Sequence, residues 1–302
     1  MKYHTKLKDI TFGTDPEWFA GKTEADGKVW VVPAPFFMLR LGLEHTEDKK
    51  HPVCFENEQV KLHQDGAAFE GTFKAFPGGN WRGMLTSVYS AEDILSCILA
   101  RFPDHTDGIA ILPTIDYDWA KWLEMGEDIA AANEFGCDRD WNAFDEFEKA
   151  VVIDATKWPE RYGGGHVHTS GHPLMAENPK LCIRILAATV GATATLMSPV
   201  PELEKRRTFL YGKSGKFRPQ KYPDGSIGIE YRTPSNTWTD PMNFSMAEAI
   251  FHSYEVAVER YMNNPGEAEA MLENMSSYIN EAIVNADQAL ASDILAYVMG
   301  DK

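Results

Sequence analysis

A chain of 302 residues that is 44% hydrophobic and carries 8 Trp can bury a substantial core, which excludes global disorder. Its formal net charge of -16, with only the short "EKRR" run at 204–207 as a basic block, argues against nucleic acid as a partner, because phosphate backbones are bound by dense positive charge. Cysteines at 54, 97, 137 and 182 form no CxxC pair, so neither a zinc ribbon nor a disulfide framework is expected, and scattered thiols suit the cytoplasm. The opening "MKYHTKLKDITFGTDPEWF" has no apolar secretory core, and "CIRILAATVGATATLM" at 182–197 contains Arg184 and is short for a membrane span. The expectation is a cytoplasmic protein with no membrane partner.

In chain order, "DITFGTDPEW" reads as a short strand ending in a turn. "ADGKVWVV" places the turn Asp26-Gly27 before an alternating apolar strand, and "HQDGAAFEGTF" repeats the pattern with Asp65-Gly66 before a strand holding Glu70. "SAEDILSCILARF" predicts a helix opening at Ser90 with an acid three residues on. "DGIAILPT" and "GGGHVHTS" read as strands, followed by a helix around 176–197. In "GSIGIEYRTPS" the two-residue period sends Ile227, Ile229 and Tyr231 to one face and Glu230 and Arg232 to the other. From Ser245 onward the chain reads as helical, broken at Pro265. Strands interrupted by helices without a βαβ rhythm indicate an α+β fold with a largely antiparallel sheet, as one domain over 1–302 with a helical part from about 245 to 302.

Four stretches carry chemistry, and each by itself also reads as an ordinary turn, strand or ion pair. "FGTDPEW" sets Asp15 and Glu17 two apart. "DGAAFE" sets Glu70 among small residues. "RYGGGHVHTSGH" sets His166 and His168 on one strand face after Gly163, Gly164 and Gly165, where a ligand can approach the backbone. "EYR" sets Glu230 beside Arg232. If the four acids converge, each like-charged pair about 4 Å apart repels by about 4 kcal/mol at an effective dielectric near 20, so counter-cations are required. Oxygen-rich sites with one imidazole suit Mg2+ or Mn2+; zinc would need His172 as a third nitrogen in HxHxxxH. "KRRTFLYGKSGKFRPQKY" adds Arg206, Arg207, Lys213, Lys216, Arg218 and Lys221, either a solvated basic loop or a set of guanidinium forks for phosphate. Metal carboxylates on one side and arginines on the other would make a site for phosphoryl transfer.

"FGTDPEWF", "DGAAFE", "GCDRDWNAF", "GGGHVHTSGH" and "YGKSGKFR…GIEYRTPSNTW", in this order across residues 12–238, resemble the glutamine synthetase-like carboxylate–amine ligases, in particular the phage-encoded COOH–NH2 ligase type 2 branch. The resemblance implies a curved, mostly antiparallel sheet, helices on its outer face, and two or three divalent ions on its inner face. It implies Asp15, Glu17, Glu70, His166 and Glu230 as metal ligands, with His168 near the ATP phosphates. Arg232 would face phosphate, and Arg218 and Arg207 would clamp it, with Lys213 beside them. The first strand carries Asp15 where better-known relatives have Glu, so which acid serves which ion stays open. The implied reaction passes the γ-phosphoryl of ATP to a carboxylate and lets an amine attack the acyl phosphate; Asp138 or Asp140 would hold the ammonium and Asn142 orient it. Partners would be ATP, a carboxylate and an amine, whether amino acid, peptide or protein side chain, in the host cytoplasm if phage-encoded; oligomers occur among relatives. Three other readings stay open: a guanidine-type phosphotransferase on a related sheet, a metal-dependent hydrolase, and a non-catalytic binding or structural protein that uses its tryptophans for stacking.

Overall fold

Strands β1 (Thr11–Thr14) and β2 (Glu17–Thr23) are separated only by Asp15 and Pro16, yet they belong to different sheets. Proline has no N–H to donate to a ladder and holds its own φ, so the pair is a natural place for the chain to leave one sheet for the next. The structure, a computed structural model, describes residues 2–43, 51–123, 140–145, 148, 153–222 and 224–300.

The first sheet has six strands. β1 lies between β7 (Phe76–Pro77) and β12 (Val167–Ser170); beyond β12 come β14 (Ile227–Tyr231), β13 (Lys216–Lys221) and the short edge β10 (Trp141–Asn142). All of its pairings are antiparallel. The second sheet is built on β2, flanked by β3 (Val29–Val32), β8 (Gly108–Ala110) and β6 (Ala68–Phe73), and continues through β5 (Val60–Asp65) to β4 (Val53–Glu56). On its other side β3 meets β9 (Thr114–Asp116) in the one parallel pairing among the described strands, and β9 pairs β11 (Glu160–Tyr162). The fold is mixed α+β with largely antiparallel sheets, as the strand and helix pattern predicts.

Alternation decides what each face does. Val167, Phe217, Ile229 and Tyr231 turn to one side of the six-stranded sheet and join a core made with α5 (Pro179–Leu186), α6 (Ala192–Met197), α8 (Phe244–Val256), α9 (Pro265–Asn285) and α10 (Gln288–Met299). Phe12, fully buried, meets Phe251 and Tyr254 edge to face at 5.3 and 5.0 Å. The opposite face carries His168, Arg218 and Glu230. A second core packs Trp18, Val31, Leu62 and Phe69 against α1 (Ala34–Arg40) and α2 (Trp81–Leu99).

Three local expectations change. α2 begins at Trp81, not Ser90; Met84, Leu85, Val88, Ala91, Leu95 and Leu99 make one continuous apolar face, and Ser90 sits mid-helix with its hydroxyl on the Thr86 carbonyl at 2.9 Å. The C-terminal helix is two: Ala286 turns left-handed at φ 50 and Asp287 caps α10 through the Leu290 N–H. The basic segment is mostly regular, since 201–210 forms α7 (Pro201–Leu210) and 216–221 forms β13, with only 211–215, which holds Lys213, turning between them. The run Pro179–Met197, interrupted by a π turn at Ala187–Gly191, is long and apolar enough to cross a membrane by length and composition, and 72% of it is buried inside the protein.

Candidate functional site

The switch from β1 to β2 puts Asp15 where the two sheets meet, and both sheets deliver polar side chains to it. From the six-stranded sheet, Asp15, His168 and Glu230 each bring one ligand atom within 4.8 Å of the others. From the second sheet, Glu17, Asp65 and Glu70 do the same. Register explains both groups: His168 stands opposite Glu230 and Gly13, and Glu17 stands opposite Glu70.

Asp15 lies between two imidazoles, with Oδ1 3.2 Å from His166 Nδ1 and Oδ2 3.1 Å from His168 Nε2. Burial by itself would raise its pKa, but the His166 and His168 charges and hydrogen bonds overcome that and hold the carboxyl far below its usual range. Burial and the Arg232 charge lower the pKa of His166; for His168 burial pulls the same way, but Asp15 outweighs it and the imidazole is raised. His166 Nε2 is buried without a hydrogen-bond partner among the described residues. Its ring fits because residue 164 is glycine: a Cβ there would stand 2.5 Å from Nε2.

Glu230 is the best-connected acid. Arg232 pairs with its Oε1 through Nη1, Arg218 Nη1 lies 3.7 Å from the same oxygen, and Gln220 Nε2 donates to Oε2 at 2.7 Å. Although burial opposes ionisation, Arg232 keeps the Glu230 pKa below the ordinary value. Arg232 is itself buried and donates from Nη2 to the Tyr211 hydroxyl. Tyr222 brings its hydroxyl to 3.4 Å from His168 Nδ1.

The second group behaves differently. Glu17 accepts the Gly164 N–H at 2.8 Å, yet burial and the neighbouring Asp65 push its pKa up to about 8. Burial raises Asp65 as well, and burial with the charges of Asp15 and Asp65 raises Glu70 well above its usual range. His63 Nε2 lies 3.6 Å from Glu70, and His51 Nδ1 lies 3.7 Å from Asp65. Crowded carboxyls of this kind hold protons until a cation replaces them.

Asp15, Glu70, His168, Arg218 and Glu230 line one cavity of about 720 Å³. It extends along β1 back to Thr11, along β12 to Ser170 and along β13 to Gln220, with Tyr222 just beyond the strand. That volume is in the range of cofactor and small-molecule sites.

The anticipated residues do not all meet. Asp15, Glu17, Glu70, His166, His168, Arg218, Glu230 and Arg232 converge; the expected ligand His166 has its Nδ1 3.2 Å from Asp15 and 3.6 Å from Glu230, and His168 also groups with the same two acids. Arg207 is not a phosphate clamp. It is fully buried, and its guanidinium donates to the carbonyls of Thr233, Arg232 and Pro234 at 2.7, 3.4 and 3.3 Å, so it shapes the turn that follows Arg232. Lys213 pairs with Glu148 at 3.0 Å and does not line the large cavity. His172 caps α4 (Pro173–Glu177) by accepting the Leu174 N–H and reaches Asn263, so no HxHxxxH zinc set assembles. Asp138 lies outside the described residues.

Asp65, Gln220, Tyr211 and Tyr222 were not anticipated. For Asp65 the signal was present: across the Gly66-Ala67 hairpin, Asp65 pairs with Ala68 and His63 with Glu70, which puts Asp65 on the Glu70 face. Comparison with protein-family models and with curated proteins finds no match to the chain.

Proposed function

We propose that the protein is an ATP-dependent carboxylate–amine ligase built on a glutamine synthetase-like catalytic sheet. The observation that carries this reading is the convergence of two acidic groups, Asp15/His168/Glu230 and Glu17/Asp65/Glu70, beside a cavity of about 720 Å³ that Asp15, Glu70, His168, Arg218 and Glu230 line. The donors fit divalent ions: five carboxylates and one imidazole suit Mg2+ or Mn2+, and the mutual crowding that raises the pKa of Glu17 and Glu70 is what a divalent cation would relieve. Asp15, His168 and Glu230 would hold one ion, and Glu17, Asp65 and Glu70 another. A bound ion supplies positive charge beside the phosphate oxygens of ATP.

The chain's own residues then have distinct tasks. A carboxylate substrate is a poor electrophile because oxide would have to leave; phosphorylation gives it phosphate as leaving group. Arg218, which lines the cavity, would present its guanidinium to the transferring group, where a fixed donor stabilises charge as it moves, while Arg232, buried and pinned by Glu230 and Tyr211, holds Glu230 in place. Gln220 and the two arginines together fix the orientation of Glu230. The amine substrate follows once the acyl phosphate has formed.

Calorimetric titration with ATP and Mg2+ tests the reading, repeated with chelator and with Glu230→Gln. Metal-dependent binding that the substitution weakens at least tenfold is the expected result, and no binding in any buffer would refute it. Hydroxylamine separates the ligase from a guanidine phosphotransferase on the same sheet, because only an activated carboxylate yields a hydroxamate.

A further inference from the structure

Strand register lays out the floor of the large cavity in rows. His168 stands opposite Gly13 and Glu230, and Arg218 stands opposite Glu230, so these residues make one row across β1, β12, β14 and β13. Two positions along, Thr11, Ser170, Gly228 and Gln220 make the next row, about 6.6 Å away at about 3.3 Å per residue. The first row holds a candidate ion position, and the second carries no charge.

Tyr222, just past the end of β13, folds back over the second row. A Cβ at residue 228 would fall 2.7 Å from its Cε2, and its hydroxyl lies 3.4 Å from His168 Nδ1 in the first row. These two contacts lay the ring along the floor, and only glycine at 228 lets it lie that low. Tyr222 lines the cavity and is half-buried, so one ring face rests on the sheet and the other is open to a ligand. Hydroxyls surround it. Thr11 and Ser170 on the floor bond each other at 2.5 Å, which uses one of their two protons and leaves a donor and several lone pairs. Thr72, two residues from Glu70 on the same face of β6, adds a third from the wall.

An aromatic face ringed by hydroxyls, with an ion position and Arg218 at one end, complements a ligand that is ring-shaped, hydroxylated and anionic at one edge. In ATP the base is separated from the γ-phosphoryl by the ribose and two further phosphates, so a base stacked on Tyr222 would carry its γ-phosphoryl well past Arg218 and the ion. A carboxylate bonded directly to its ring fits: the ring covers Tyr222 while the carboxylate reaches the first row. We infer that the cavity binds a sugar acid of the uronic type in this pose, and that the sugar acid is the carboxylate substrate. The substrate role rests on the ligase reading; the stacking subsite itself does not.

Calorimetric titration of the full chain with D-glucuronate and with D-galacturonate, in Mg2+ with and without a non-hydrolysable ATP analogue, tests it. At least one uronate binds; cyclohexanecarboxylate, which lacks the hydroxyls, and glucose, which lacks the carboxylate, bind at least tenfold more weakly. Tyr222→Leu weakens uronate binding tenfold or more and Thr72→Val several-fold. Thr72 is exposed, so its substitution keeps the test valid if Tyr222→Leu does not fold. Absence of uronate binding in both conditions, binding that both substitutions leave unchanged, or a Tyr222→Leu protein that loses the ATP analogue and keeps the uronate overturns the inference. Hydroxylamine capture separates the two readings. A bound uronate that yields no hydroxamate counts against the ligase reading alone, whereas hydroxamate from other carboxylates with no uronate bound counts against this inference alone.

Discussion

Glu92 lies on the buried side of α2 and is 6% exposed, with its Oε1 accepting the indole N–H of fully buried Trp18 at 2.9 Å. Burial, aided by the nearby charges of Asp240 and Asp93, outweighs the Trp18 hydrogen bond and pushes its pKa up to about 8. An acid whose folded pKa exceeds its unfolded value keeps its proton longer in the native state, so stability is full below about pH 4.5 and is lost as pH rises towards 8. Each pKa unit corresponds to about 1.4 kcal/mol, so ionised Glu92 costs the fold on the order of 5 kcal/mol at pH 9. Glu92→Gln keeps the carbonyl that Trp18 needs and cannot ionise. Urea unfolding of both proteins at half-unit steps from pH 5 to pH 9 gives the difference directly, with the titration of every other group cancelling to first order. The two are expected to match within about 1 kcal/mol at pH 5, and the Gln variant is expected to be more stable by a few kcal/mol at pH 9. Parallel stability curves across the whole range would refute the reasoning, since they would mean that Glu92 ionises in the folded protein without penalty.

Three further outcomes follow from the site and its supports. Metal binding near pH 7 should release protons, because Glu17, with its pKa at about 8, and Glu70 hold theirs in the metal-free protein; Mg2+ titrations in buffers of different ionisation enthalpy count them, and affinity should climb as pH rises to about 8. Gln220→Leu removes the amide that orients Glu230 Oε2 and should weaken Mn2+ binding about tenfold with little change in thermal stability, read by calorimetry and a melting curve. Gly212→Ala should lower stability by roughly 2–4 kcal/mol in chemical unfolding: residue 212 has φ +64, and a Cβ there would fall 1.9 Å from Arg207 Nη1, displacing a guanidinium that satisfies three carbonyls. An unchanged unfolding midpoint would show that Arg207 does not hold that turn.

Much of the site's make-up is a property of short range. The two-residue period alone separates His168 from Val167 and Glu230 from Ile229 and Tyr231, and Asp-Gly pairs mark the turns before β3 and β6. The helical C-terminus and its break at Pro265 are equally local, because proline cannot continue a hydrogen-bonded turn. Convergence is not local. Asp15 reaches His168 because β1 pairs β12 across more than 150 residues, and Glu17 meets Glu70 because β2 pairs β6; no periodicity within either strand names its partner. Burial likewise decided between Arg218 and Arg207. Both are arginines in one basic stretch, but a strand turns the first into the cavity while α7 buries the second against the backbone of 232–234, where three carbonyls need a donor. Residue type and spacing thus determined which chemistry the chain could assemble, and only the pairing of distant strands and the desolvation that comes with it decided which of those residues share a site.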